Sequence, residues 1–144
     1  MSLPSKLILE VVTPEHELVH EEVDEVQLPA RRGYLGILPG HAPLLTELGV
    51  GELRFKQGGE TYYLAIVNGY AEVLPDRVIV MAEVGERAAD IDADRARDAL
   101  KRAEERLASL SAKDVDWERA ALALERARVR METATHGGSV ADSE

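Results

Sequence analysis

Leu7 to Val12 is a run of β-favouring residues that stops at Thr13-Pro14. Val23 to Pro29 follows, with Val26 and Leu28 alternating against polar neighbours. Gly49 to Gln57 and Thr61 to Val67 flank Gly58-Gly59, a two-residue hairpin signal that tolerates positive φ. Asn68-Gly69 reads as a second hairpin turn and Pro75-Asp76 as a third, with strands over Tyr70 to Leu74 and Arg77 to Val84. No helical pattern intervenes, so the expected sheet is antiparallel, a sandwich or a barrel. Near Glu86 the period changes. Ala89, Ala93, Ala96, Leu100, Ala103, Leu107 and Leu110 recur at steps of three and four, and so do Trp117, Ala120, Leu124, Ala127, Met131 and Ala134. These are two helices. Asp92 is a candidate N-cap for the first, Asp114 or Asp116 for the second. The short connection Ser111 to Asp116 predicts an antiparallel hairpin. Half of its apolar positions are Ala, so its stripes bury little area and it needs a surface to lie on. The expected organisation is a β-domain over 1–86, a helical hairpin over 87–136 and a disordered tail over 137–144.

Composition narrows the possibilities. The chain of 144 residues fits one domain with an appendage, and 45% hydrophobic residues support a core that is aliphatic, since aromatics are 4%. A net charge of −10 argues against nucleic acid and against docking on anionic lipid. No cysteine is present, which excludes disulfides and thiolate chemistry. No run approaches the ~20 apolar residues that span a bilayer, so a soluble chain is expected, with any membrane association made through a partner.

Candidate chemistry is sparse. His16-Glu17-Leu18-Val19-His20 matches the zinc-protease string H-E-x-x-H, which works only with both histidines on one face of a helix. Here it runs straight into a strand, and a strand-edge loop is the better reading. His41 has no Ser, Cys or Asp arrangement around it and reads as a corner histidine. With no P-loop, the chain is not expected to hydrolyse ATP by itself. The hairpin arginines say more. Arg95 and Arg102 are seven apart on one flank of the first helix, each with acids in helical reach. Arg126 and Arg130 are four apart on the second, with no acid three or four residues away. They repel each other, and an anion from elsewhere would stabilise them.

Between the strands lies Gly33-Tyr34-Leu35-Gly36-Ile37-Leu38-Pro39-Gly40-His41-Ala42-Pro43-Leu44-Leu45. Three glycines and two prolines rule out a helix, and Pro39-Gly40 is a type II turn signal. Ile37, Leu38, Leu44 and Leu45 are expected to point into the core. This string resembles the signature of the epsilon subunit of F-type ATP synthases, and Ile91-Asp92-Ala93-Asp94-Arg95-Ala96 resembles the [IL]-D-x-x-R-A motif of its ATP-binding members. The resemblance covers nearly the whole chain except the tail. It implies a β-sandwich followed by a helical hairpin, in a non-catalytic rotor part that meets the gamma subunit and the c-subunit ring. It implies a peripheral location on the cytoplasmic face of the cell (inner) membrane. The hairpin would lie folded on the sandwich, or extend toward the catalytic head and inhibit ATP hydrolysis. No cofactor is required, and ATP is the implied regulatory ligand. By the same resemblance Glu86, Asp92 and Ala96 meet base and sugar, and Arg95, Arg102, Arg126 and Arg130 meet phosphate. Tyr34 and His41 fall at the partner contact, where many relatives carry an acid at the Tyr34 position. Tyr34 would make that contact apolar with a hydroxyl handle. The rival reading is a free-standing ATP-sensing module outside any motor.

Overall fold

The computed structural model of the chain describes residues 3–142. Seven strands, β1 (Leu7–Val12), β2 (Glu17–Val23), β3 (Glu25–Ala30), β4 (Gly33–Ile37), β5 (Leu44–Gln57), β6 (Glu60–Leu74) and β7 (Arg77–Arg87), form one hydrogen-bonded sheet. Its order is β2-β1-β7-β6-β5-β3-β4. The sheet folds over on itself into a sandwich, and every strand contributes side chains to a single core. All pairings are antiparallel except β1 with β7, which runs parallel.

The long strands β5 and β6 make the fold-over possible. In β6 the core residues are Leu64 and Ile66, then Ala71 and Val73, so the inward parity switches between them. In β5 it switches between Leu48 and Leu53. Asn68 and Gly69 stand at the switch with φ of 55° and 133°. Pairing to both neighbours lapses at Asn68 and resumes in the same register. The Asn-Gly pair is thus a corner inside one continuous strand, not the hairpin turn expected. Left-handed backbone serves both purposes, and the pair alone does not say which. The two other turn signals hold. Gly58-Gly59 joins β5 to β6, and Pro75-Asp76 joins β6 to β7.

The hairpin follows a single 3-10 turn at Ala88–Asp90. Helix α1 covers Ala93–Ala108 and is capped by Asp92, whose carboxylate accepts from the Asp94 and Arg95 amides. Helix α2 covers Trp117–Asp142 and packs on α1, β5 and β6. It runs past residue 136 into the segment expected as a tail over 137–144, of which 143–144 lie outside the described residues. There His136 stacks on Tyr63 and Gly137 lies close against Ala88, contacts that act against the ~1 kcal/mol a glycine costs inside a helix. The seam under the hairpin is small, as the Ala-rich stripes predict: Ala65, Ile91, Ala96 and Ala134 are its buried residues.

Candidate functional site

Two surfaces collect the singled-out residues. The first is a cleft of about 380 Å3 between α2, α1 and the sheet, lined among others by Glu83 and Glu86 from β7, Ala99 from α1, and Arg126 and Arg130 from α2. Its chemistry follows from spacing. Arg126 and Arg130 share one face of α2 because they are one turn apart. For Arg130 the anion is Glu86. Arg130 donates to both its carboxylate oxygens, Nε to Oε1 at 2.8 Å and Nη2 to Oε2 at 3.2 Å. This bidentate fork holds the guanidinium plane fixed at the cleft wall. Arg126 has no ion pair among the described residues and stays exposed. Arg95 and Arg102 are exposed on α1 and do not line the cleft. Arg95 lies four residues before Ala99 and Arg102 three after it, so both leave α1 on the flank of that wall. Asp92 is engaged in capping, and Ala96 is buried in the seam beneath the hairpin.

The second surface is a concavity of about 700 Å3 along the β4 edge, lined by Ala30 to Leu35 and Leu44 to Glu47. Tyr34 lies on it, 55% exposed. Leu45, 67% exposed, and Leu44 line it too, and Leu38, 59% exposed, follows the end of β4. Of the four aliphatics expected inside, Ile37 alone is buried. Leu38 begins a type II turn closed by the His41 amide on the Leu38 carbonyl at 3.1 Å, with Gly40 at φ 89°. That turn directs Leu38 outward, and the Leu44–Glu47 end of β5 has no layer packed over it. Tyr34, Leu44 and Leu45 thus put exposed apolar side chains on one concave surface. His41 sits in the same corner, donating from Nδ1 to the Ala42 carbonyl at 2.7 Å.

The H-E-x-x-H string lies at and within β2. Four residues along a strand span ~13 Å, far too long for two ligands of one zinc ion. His20 instead faces Glu17 at 2.9 Å.

Sequence reading missed a polar cluster where α2 meets β5. The Glu52 carboxylate is only 4% exposed and accepts from Arg54, Thr133 and His136. One signal was available. Gly137, three residues after Ala134, continues the three- and four-residue spacing of the α2 stripe, and Thr133 and His136 border that stripe.

Family models match both halves of this architecture. The beta-sandwich domain of the ATP synthase delta/epsilon chain matches residues 6–88, and its long alpha-helix domain matches residues 89–135. The chain belongs to the ATP synthase delta/epsilon family. Among curated relatives, the ATP synthase epsilon chain 2 of Syntrophotalea carbinolica is 47% identical over 94% of this chain and 99% of its own. The ATP synthase epsilon chain of Koribacter versatilis is 54% identical over 68% of this chain and 69% of its own. A chain in the mitochondrial ATP synthase of Euglena gracilis superposes with a TM-score of 0.78 at 24% identity, covering 94% of this chain and 85% of that one. A chain from the central stalk and c-ring of the Tetrahymena thermophila enzyme gives 0.60 at 14%, covering 91% and 98%. At such identities the superpositions speak for the fold of this delta/epsilon chain. No helix among the described residues is long and apolar enough to cross a membrane.

Proposed function

We propose that the chain is a non-catalytic central-stalk subunit of a proton-translocating ATP synthase. It turns with the gamma subunit on the c-subunit ring, couples proton flow to ATP synthesis, and restrains ATP hydrolysis when its hairpin extends toward the catalytic head. It is held at the cytoplasmic face of the membrane through these partners. The Tyr34, Leu38, Leu45 and His41 surface is the docking face on the rotor. In the folded form the hairpin binds ATP in the α2 cleft.

The observation that carries the reading is the cleft itself: a nucleotide-sized recess walled by Arg126 and Arg130, beneath a hairpin held by a small seam. Arginine suits polyphosphate because its planar fork donates paired hydrogen bonds and stays charged. Glu86 holds Arg130 in place until phosphate arrives, and Arg126 remains open to it. Arg95 and Arg102 add charge from the α1 flank. Glu86 borders the base and sugar, while Asp92 and Ala96, which do not line the cleft, act on it by capping and seating α1. Nucleotide at a hundredfold excess over Kd stabilises the folded form by about 2.7 kcal/mol, enough to govern two dockings of similar energy.

Calorimetry of the full chain with ATP tests this. One site is expected, and Arg126→Ala should weaken binding by about 1–3 kcal/mol, with Lys recovering only part. No heat and no thermal shift at millimolar ATP would overturn the nucleotide site. Co-purification with gamma and the c ring tests the rotor role, because a free-standing ATP sensor would bring down neither.

A further inference from the structure

Thr133 and His136 lie three residues apart near the end of α2, and both reach the same atom. Glu52 Oε2 accepts from Thr133 Oγ1 at 3.0 Å and from His136 Nδ1 at 2.7 Å. Its other oxygen accepts from Arg54 Nε at 3.1 Å. The His136 ring stacks on Tyr63 with centroids 4.2 Å apart. Gly137 comes next, where a Cβ would lie 2.9 Å from the Ala88 carbonyl oxygen, so the helix can approach this closely only without a side chain. The end of α2 is fitted to the sheet around one buried carboxylate.

We propose that Glu52 is a release latch for the helical hairpin. This rests on the reading that the hairpin leaves the sandwich, and it names what holds it there. Docked, the carboxylate is served by Arg54, Thr133 and His136. Undocked, it keeps Arg54 on its own strand and takes water in place of the two helix donors. A buried charge that exchanges one good set of donors for another contributes little net energy, whereas apolar residues filling the same space would hold the helix more firmly. The contact is directional all the same. It fixes the axial register of α2, and Arg130 lies only three residues before Thr133, so the latch holds Arg130 opposite Glu86. Thr133 and His136 are thus positioning residues for the cleft, and they do not line it.

The chain has no cysteine of its own, so a Glu60→Cys, Val115→Cys pair on exposed positions reports the distance from sandwich to hairpin tip through spin labels. Thr133→Val and His136→Ala should each raise the ratio of extended to folded hairpin about tenfold, as loss of a hydrogen bond to a charged group implies. Glu52→Gln should act in the same direction. The helix variants leave the sandwich core intact and keep the test decisive if Glu52 variants fold poorly. Apparent ATP affinity should fall in proportion to the folded fraction, while saturating ATP restores the folded distance. A merely structural lesion would not be restored in this way. If the wild-type hairpin moves on ATP removal and the variants show wild-type fractions, the latch is wrong and the mobile hairpin stands. If wild type and variants alike stay docked with and without ATP, both are wrong.

Discussion

The Tyr34 ring lies half in solvent on the rim of the exposed surface, while its hydroxyl turns inward and accepts from the Glu52 amide at 3.0 Å. That amide sits where the register between β3 and β5 shifts, between Gln27 and Ala30, and the phenol supplies a partner at the break. Tyr34→Phe should therefore cost about 1 kcal/mol in urea denaturation while leaving the ring for its partner. An unchanged midpoint would mean that water replaces the hydroxyl. The sequence singled out Tyr34 as a contact residue with a hydroxyl handle. It offered no sign of where the hydroxyl points, because strand order is not legible in one chain. Another local pair sets a pH dependence. A hydrogen bond from Lys6, and then one from the Gly58 amide, hold Asp24 below the usual carboxylate range, and Asp24 raises Lys6 in return. The Asp24 contribution is complete above its unfolded value of about 3.9 and is lost as pH falls through the lower folded value. The Lys6 contribution is complete below 10.5 and is lost as pH rises through the raised value. Both groups are exposed, so the effect is small. Asp24→Asn should flatten the acid limb of a melting-temperature profile, and an unaltered limb would show that other carboxylates set it.

Corners and seams separate what the periodicity told from what it could not. Period-two runs located most strands, and the three–four spacing located both helices with the Asp92 cap, because those patterns are local. The Asn68-Gly69 corner was misread because a turn and a bend demand the same backbone, and the partner that distinguishes them is distant in sequence. Leu38, Leu44 and Leu45 were read as core because an apolar residue carries no mark of whether another subunit covers it. The run of α2 beyond residue 136 was not legible because that segment is small and polar, and the close approach of Gly137 to Ala88 depends on a partner distant in sequence. Gly69→Ala tests the corner. A Cβ there would fall 2.1 Å from the Met81 carbonyl oxygen at a φ of 133°, so strain and overlap combine. The expected loss is about 3 kcal/mol, read by denaturation. A loss under ~1 kcal/mol would mean that the sheet relaxes at Asn68 and that the corner is soft.

The molecule is two bodies of unequal firmness. The sandwich core draws on all seven strands and includes no residue of the hairpin, while the seam beneath the hairpin is four small or aliphatic residues and one polar cluster. The candidate cleft was half legible in advance. Arg126 and Arg130 could be paired by spacing, but their opposing Glu86 lies 44 residues away from Arg130, and only folding brings it near. Unequal firmness predicts separability. A chain ending at Ala88 keeps every buried residue of the sandwich core and exposes chiefly Tyr63, Ala65 and Glu52, the last of which exchanges helix donors for water. It should fold with near wild-type sheet content by circular dichroism. It should also assemble normally, since the Tyr34, Leu38 and Leu45 surface is untouched. An extended hairpin that obstructs the catalytic head is absent from such a complex, so ATP hydrolysis should rise, and most of all at low ATP. If the proposed site holds the hairpin folded at high ATP, the difference between the two complexes should shrink there. Failure of the truncated chain to assemble would make the hairpin a structural brace rather than a regulator. Normal assembly with hydrolysis equal to wild type at every ATP concentration would leave the hairpin without a hand in hydrolysis, whatever it binds.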